Sequence, residues 1–250
     1  MESIVSARLE ELDWGTTPIG DLSLRRRRDP LSGVDVYEVK LDDDFLMSSL
    51  FTVAEVAVAT LALAEIAGEG LDVVVGGLGL GYTAQAVLED PRVASLIVVE
   101  RLEKVIEWHE RGLLPVGQVL TADLRNSFVL GDFFAMTAGT GYQPDQPGRA
   151  DQSADQQRFH AIIVDIDHSP RHLLHPSHAD FYEVSGLRRV ADRLHPGGVF
   201  ALWSNDPPDA EYLERMEAVF TSVRADVVAF DNPLQGGEST NTVFLGIARA

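Results

Sequence analysis

Three glycines at alternate positions, Gly77, Gly79 and Gly81, stand between an apolar run and a segment with helical periodicity. Glycine permits a tight turn and, because it has no side chain, lets a ligand approach the backbone. Such a turn between a strand and a helix is typical of nucleotide-binding proteins. The spacing here is G-x-G-x-G, whereas dinucleotide sites usually have G-x-G-x-x-G. A packing role for the glycines is the alternative.

Acidic residues follow three later apolar runs where we expect strands to end. Glu100 ends SLIVVE, Asp132 follows the next predicted strand, and Asp165 ends AIIVD. Because the carboxyl ends of parallel strands meet at one sheet edge, these acids should share a crevice with the glycine turn. An acid in the place of Glu100 binds ribose hydroxyls, and the Asp132 carboxylate can accept a hydrogen bond from an adenine amino group. The pattern predicts a nucleoside site.

Strands alternate with helices from residue 72 onwards, which predicts an α/β, Rossmann-like, doubly wound and mainly parallel sheet. The last two strands follow one another directly and predict an antiparallel hairpin. Residues 19 to 41 predict a β-hairpin around DPLSG, and 47 to 67, 180 to 194 and 209 to 223 predict helices. We therefore divide the chain into an N-terminal extension, 1–46, and a nucleoside-binding catalytic domain, 47–250. Residues 139 to 158 predict a long loop.

Composition limits the classes of partner. The 250 residues carry a net charge of −19, which repels phosphate backbones, so we expect no nucleic-acid partner. There is no cysteine, which excludes disulfides and thiolate chemistry. The first residues lack the basic and apolar regions of a signal peptide, and the longest apolar run is interrupted by Glu65. We expect a cytoplasmic protein with no membrane contact.

The segments GGLGLG, VVERLEKVIE, LGDFFAM, FHAIIVDIDHSP, FYEV and LHPGGVFALWS occur in an order that resembles the spermidine synthase (polyamine aminopropyltransferase) family. The resemblance implies a class I methyltransferase-type fold, a β-rich N-terminal extension, and a homodimer or homotetramer. It also implies aminopropyl transfer from decarboxylated S-adenosylmethionine to an amine. Gly77, Gly79 and Gly81 would then line the thioether nucleoside, Glu100 would bind its ribose and Asp132 its adenine.

In the segments that would bind the amine, this sequence departs from the family pattern. Asp165 matches the first Asp of the family's D-x-x-D segment, but His168 aligns with the second, which is the proposed base, and Asp167 is one residue off. Leu80 stands where the family has an aspartate, and FTVAE at 51 to 55 is the nearest counterpart of its Tyr-His-Glu segment. We assign proton transfer to Asp165, Asp167 and His168, since a carboxylate or imidazole can accept a proton near neutral pH.

Other functions stay open at this stage. An S-adenosylmethionine-dependent methyltransferase and a non-catalytic adenosyl-binding homologue both fit the glycines and acids. The glycine spacing and Asp132 count against a nicotinamide-dependent oxidoreductase. Four histidines, His168, His172, His175 and His178, could coordinate zinc or nickel. Pro170 and Pro176 would break any helix that aligned them, so we expect a lid over the site and no metal.

Overall fold

The computed structural model describes residues 9–30, 32–139, 141–142, 157–232 and 236–249. In these ranges no helix is both long and apolar enough to cross a membrane.

The described residues form two sheets and seven α-helices. The strands are β1 (Leu9–Thr17), β2 (Gly20–Arg28), β3 (Asp35–Leu41), β4 (Asp44–Ser48), β5 (Leu71–Gly76), β6 (Val93–Glu100), β7 (Asn126–Leu130), β8 (Phe159–Val164), β9 (Leu194–Ser204), β10 (Thr221–Asn232) and β11 (Gly237–Ile247). The helices are α1 (Val53–Ala64), α2 (Tyr82–Glu89), α3 (Glu103–Glu110), α4 (Gly117–Ala122), α5 (Phe133–Ala138), α6 (Val184–Asp192) and α7 (Ala210–Glu217), and a 3₁₀ segment covers Pro176–Tyr182.

The larger sheet has the strand order β10-β11-β9-β8-β5-β6-β7. Strands β5 to β9 pair in parallel, whereas β11 pairs antiparallel with both β9 and β10. The chain runs outwards from β5 through β6 to β7 and then returns to β8 on the other side of β5. Strand order therefore reverses between β5 and β8, which is where doubly wound sheets bind ligands. The predicted fold class and terminal hairpin are confirmed.

Apolar residues on both faces of the central strands explain why helices cover the sheet on both sides. Val73 and Val75 of β5 pack in one core, together with α1, α2, α3 and the N-terminal sheet. Val74 packs in the other core, with residues of α5, α6 and α7. Successive side chains of a strand point to opposite faces, so a continuous apolar run requires two covering layers.

The N-terminal extension is a four-stranded antiparallel sheet in the order β1-β2-β3-β4. The predicted hairpin at 19–41 corresponds to β2 and β3, and β1 and β4 were not predicted. Strand β4 continues through Ser48, past the predicted boundary at residue 46, and the division into domains stays a prediction. In β2, Arg26 and Arg27 pair with Glu10 of β1 and Glu38 of β3, so these arginines hold neighbouring strands together.

Three predicted elements differ from the structure. The helix predicted for 209–223 ends at Glu217, and its last residues belong to β10, where Ser222 has a positive φ of 50° beside a break in strand register. The helix predicted for 180–194 begins at Val184, after the 3₁₀ segment. The helix predicted for 47–67 covers only Val53–Ala64, because β4 runs through Ser48. Helix α5, over FFAMTA, was not predicted. Most of the loop predicted for 139–158 lies outside the described residues.

Asp13 of β1 ties the N-terminal sheet to the larger domain. Its carboxylate accepts a hydrogen bond from Nε1 of the fully buried Trp108 at 2.9 Å and forms ion pairs with Lys104 at 3.1 Å and Arg111 at 2.7 Å. Burial opposes ionisation of this carboxyl, but the hydrogen bonds from Trp108 and Lys104 outweigh it and lower the pKa of Asp13 to about 2. The ionised carboxylate of Asp13 therefore stabilises the packing of the N-terminal sheet against the larger domain.

We expect Asp13→Asn to lower the free energy of unfolding at pH 7 by roughly 1–2 kcal/mol, because the native state holds the ionised form. A depressed carboxyl pKa stabilises above the unfolded value of 3.8, and this stabilisation is lost as the pH falls towards 2. The difference between wild type and variant should therefore narrow below pH 4, as measured by urea unfolding. Asp35→Asn, on an exposed pair with Arg28, is the matched control; an equal loss there would contradict this role for Asp13.

Candidate functional site

A cavity of about 1230 Å³ lies at the carboxyl ends of β5, β6 and β8. Phe45 and Met47 of the N-terminal sheet line one side, and Phe230 and Asn241 of the terminal hairpin line another. Seven of the eight predicted site residues line this cavity: Gly77, Gly79, Gly81, Glu100, Asp132, Asp165 and His168. Asp167 does not. The structure thus brings together residues that are spread over about ninety positions of the sequence.

The glycine loop, residues 77 to 81, uses its glycines in two ways. Gly77, Gly79 and Gly81 all have positive φ, at 95°, 48° and 93°. A Cβ on Gly77 would overlap the backbone carbonyl oxygen of Asp165, and one on Gly81 would lie 2.6 Å from Val116 and 2.7 Å from His109. At Gly79 a Cβ would meet only the end of the Met47 side chain, whose sulfur lies at 3.2 Å and whose methyl group lies at 3.7 Å. Packing therefore requires Gly77 and Gly81, while Gly79 leaves backbone open to the cavity.

Glu100 anchors the glycine loop to the end of β6. Its carboxylate accepts hydrogen bonds from the backbone N–H of Leu78 at 3.0 Å and of Leu102 at 2.8 Å. Burial raises the pKa of Glu100, and these backbone donors act in the opposite direction. The acid therefore shapes the loop as well as lining the cavity; its predicted role as a ribose ligand stays a prediction.

Asp132 begins α5. Its Oδ1 accepts hydrogen bonds from the backbone N–H of Phe134 at 3.0 Å and of Ala135 at 3.1 Å, which makes it an N-cap. Its Oδ2 lies 3.4 Å from the Arg101 guanidinium. Aspartate in this position is thus explained by helix capping alone, and its predicted contact with adenine stays a prediction.

Asp165 forms an acid pair with Glu55 of α1. The Thr83 hydroxyl donates to Asp165 Oδ2 at 2.7 Å and lies 3.2 Å from the Glu55 carbonyl oxygen. Burial, with a further contribution from the negative charge of Asp165, raises the pKa of Glu55 to about 8. Burial also raises the pKa of Asp165. Near neutral pH the Glu55 carboxyl holds a proton, because partial burial and the negative charge of Asp165 both oppose its ionisation.

Sequence reasoning assigned no role to Glu55. The only signal was that FTVAE, at 51 to 55, is the nearest counterpart of the family's Tyr-His-Glu segment and keeps its final glutamate. Leu80, which stands where the family has an aspartate, lines the same cavity and is only 6% exposed. Among the described residues, the acids that line the cavity therefore depart from the sequence pattern of the family.

Asp167 was predicted to take part in proton transfer, and this role stays a prediction. It is 1% exposed, accepts hydrogen bonds from the backbone N–H of Leu174 at 2.7 Å and the Tyr182 hydroxyl at 2.9 Å, and contacts His178 Nδ1 at 2.9 Å. Its carboxylate is therefore bonded to three protein groups and is not among the residues that line the cavity. His168 is exposed at the cavity wall, and its role as a base stays a prediction.

Three of the four clustered histidines have separate side-chain partners. His172 Nδ1 lies 2.8 Å from Asp206, His175 Nδ1 lies 2.7 Å from the Ser177 hydroxyl, and His178 is bound to Asp167. Within the described ranges, no group of three or more histidine and acidic side chains is arranged to hold a metal ion. His168, His175 and His178 all line the cavity, so this segment forms part of its wall.

The reversal of strand order, the glycine loop beside it and the terminal antiparallel hairpin define the fold as a Rossmann-like, methyltransferase-type α/β fold. Solved structures identify it further as the fold of the spermidine synthases. Spermidine synthase from Thermotoga maritima matches with a TM-score of 0.68 and 17% identity, over 95% of this chain and 72% of that one.

Two further structures give the same result. A spermidine synthase in complex with the transition-state analogue AdoDATO matches with a TM-score of 0.70 and 17% identity, over 95% of this chain and 73% of that one. A probable spermidine synthase from Corynebacterium glutamicum matches with a TM-score of 0.61 and 14% identity, over 95% and 79%. The sequence itself matches no family model and no curated protein sequence.

We expect Gly77→Ala to destabilise the protein by about 3 kcal/mol or more, because the new methyl group would force the glycine loop away from Asp165. Gly68 is the matched control, since its φ of 92° is nearly that of Gly77 but no atom lies within 4 Å of a Cβ there. Gly68→Ala should cost only about 1 kcal/mol, from backbone strain alone. Denaturant unfolding of both variants measures the difference, and equal costs would exclude the steric explanation.

The Glu55 carboxyl should make stability depend on pH. Its folded-state pKa of about 8 exceeds the ordinary 4.5, so its stabilising effect is complete below pH 4.5 and lost as the pH rises through 8. From pH 5 to pH 9 the free energy of unfolding of wild type should therefore fall by on the order of 2 kcal/mol more than that of Glu55→Gln. Exposed Glu89→Gln is the control. Parallel curves for wild type and Glu55→Gln would show that Glu55 titrates normally.

Proposed function

We propose that this protein is a transferase that binds decarboxylated S-adenosylmethionine and transfers its aminopropyl group to an amine. The observation that carries this proposal is the partly buried Glu55–Asp165 pair, which lines the same cavity as the glycine loop. A nucleoside-sized crevice at the strand reversal suits the adenosyl group, and carboxylates suit cationic amines. The fold shared with spermidine synthases supports the same assignment.

The reaction needs little activation of the donor, because its sulfonium is a good leaving group. The acceptor nitrogen attacks the aminopropyl carbon bound to sulfur, the carbon–sulfur bond breaks, and its electron pair stays on sulfur to give methylthioadenosine. The positive charge passes to nitrogen, which then releases a proton. The protein must therefore hold the amine in line with the carbon–sulfur bond and receive a proton.

The Glu55–Asp165 pair provides a binding site for the positive charge of an ammonium or sulfonium group. In the empty cavity one proton reduces the repulsion between the two carboxyl groups. A cationic ligand would stabilise the fully ionised pair and release that proton. We assign Asp165 and Glu55 to amine binding, with Thr83 orienting Asp165, and His168 at the cavity wall to proton acceptance.

Methyl transfer from S-adenosylmethionine is the second candidate, and Leu80 is the observation that favours it. An aspartate there would repel the carboxylate that distinguishes S-adenosylmethionine from its decarboxylated form, and leucine does not. Both candidates use the same nucleoside residues: Gly77, Gly79, Gly81, Glu100 and Asp132. The two donors differ only in the carboxylate, which S-adenosylmethionine has and its decarboxylated form lacks.

We also propose a cytoplasmic homodimer or homotetramer that acts on a small-molecule amine and has no nucleic-acid or membrane partner. The net charge of −19 supports this choice of partners, since it favours cationic small molecules over polyanions.

Titration calorimetry with methylthioadenosine, S-adenosylmethionine and its decarboxylated form tests the donor. We expect the decarboxylated form to bind at least about tenfold more tightly than the intact one, because an uncompensated carboxylate near Glu55 and Asp165 costs on the order of 1–2 kcal/mol. Turnover with a panel of primary amines, followed by mass spectrometry, should show a product heavier by an aminopropyl group.

The opposite preference, with a product heavier by a methyl group, would establish the second candidate. If none of the three nucleosides binds, the donor site is wrong. Glu100→Gln should weaken all three ligands, whereas Glu103→Gln, at the exposed start of α3, is the control for a nearby loss of charge.

A further inference from the structure

His178 is a buried imidazole that lines the cavity and has one of its nitrogens already engaged. It is 4% exposed, and its Nδ1 lies 2.9 and 3.0 Å from the two carboxylate oxygens of Asp167. Asp167 also accepts hydrogen bonds from the Leu174 backbone and the Tyr182 hydroxyl. With donors on every side of this carboxylate, the imidazole must donate to it as well, so the hydrogen is on Nδ1.

Nε2 of His178 is then the nitrogen that a ligand can reach. Neutral imidazole with hydrogen on Nδ1 has a lone pair on Nε2 and accepts a hydrogen bond there. Within the part of the chain that the structure describes, no other group bonds to Nε2, and the ring forms part of the cavity wall. A ligand that covers this nitrogen must supply a donor, because an acceptor left unpaired on binding is costly. His178 therefore presents a fixed hydrogen-bond acceptor to the cavity.

The position of the ring in the cavity indicates which part of a ligand it meets. His178 stacks on Phe134 with ring centroids 4.0 Å apart and an interplanar angle of 28°. Phe134 is the second residue of α5, the helix that Asp132 caps. His178 therefore lies in the part of the cavity near Asp132, where the adenine is predicted to bind.

Asp132 already bonds to protein groups through one oxygen, which leaves Oδ2 as its acceptor for that purine. Its Oδ1 takes two backbone N–H groups of α5, and its Oδ2 faces Arg101 at 3.4 Å. The amino group of adenine carries two hydrogens, so it can donate to two acceptors at once. Asp132 Oδ2 can accept one of these hydrogens, and an imidazole acceptor nearby can accept the other.

We propose that Nε2 of His178 accepts a hydrogen bond from the exocyclic amino group of the donor's adenine, and that Asp167 is the positioning residue that fixes its tautomer. This assignment rests on the proposed nucleoside donor but not on which group is transferred. It makes His178 a residue that selects adenine over purines without the amino group, because a buried acceptor facing such a purine would lose its partner.

Binding alone tests this assignment. Methylthioadenosine and its analogue with hydrogen in place of the amino group are titrated into wild type, His178→Phe and His178→Gln. Phenylalanine keeps the stacking on Phe134 but has no acceptor, whereas the glutamine amide oxygen can occupy the place of Nε2. We expect His178→Phe to weaken methylthioadenosine roughly 5- to 20-fold and the analogue by no more than about twofold. His178→Gln should recover part of the preference.

Two further variants separate recognition from structural support. Asp167→Asn leaves His178 in place but can donate to Nδ1, which moves the hydrogen to Nε2, so the preference for methylthioadenosine should fall. His172→Gln, in the same segment but outside the cavity wall, should change neither affinity. Thermal unfolding confirms that each variant is folded.

Three results would overturn the assignment. An equal loss for both ligands in His178→Phe and His178→Gln would mean that His178 only supports the fold. Unchanged affinity for methylthioadenosine would mean that it does not meet the amino group. If wild-type protein bound neither ligand, the donor site itself would be wrong, and the proposed function would fall together with this inference.

Discussion

The contact between the glycine loop and the chain leaving β8 determines the geometry of the whole site. Gly77 lies so close to the Asp165 carbonyl that no side chain fits between them, and the Asp165 N–H bonds to the Gly76 carbonyl at 2.9 Å. This holds the ends of β5 and β8 together at the point where strand order reverses. Glu100 then fastens the loop to β6 through the backbone of Leu78. The cavity walls follow from these few backbone contacts, so the site is preorganised by the sheet.

Much of this arrangement could be predicted from the sequence, because it depends on local patterns. Continuous apolar runs such as those of β5 and β8 predict buried parallel strands, and parallel strands bring their carboxyl ends to one edge. Gly77, Glu100, Asp132 and Asp165 follow such runs and reach the cavity for that reason. The resemblance to spermidine synthases added the N-terminal β-structure, but β1 and β4 have weaker alternation and depend on their partners β2 and β3.

The features of the site that were not predicted depend on contacts between segments far apart in the chain, and a single sequence does not reveal such contacts. Glu55 becomes part of the site only because α1 packs against α2 and brings it beside Thr83 and Asp165. From the sequence, Asp167 has the same predicted role as Asp165, two residues away. In the structure Asp167 bonds to His178 and Tyr182 and does not line the cavity. Of these two acids, Asp165 lines the cavity, whereas Asp167 bonds to His178, which forms part of the cavity wall. Sequence position alone could not separate them.

Glu55 and Asp165, two of the acids that line the cavity, also show why a high overall negative charge does not by itself create a cation site. Exposed carboxylates are solvated and screened, and attract a ligand only weakly. Glu55 and Asp165 are partly buried, so ionising both is costly, and this raises the pKa of Glu55 to about 8. A bound cation would remove most of that cost. The same burial that keeps a proton on Glu55 would therefore favour a positively charged ligand over a neutral one.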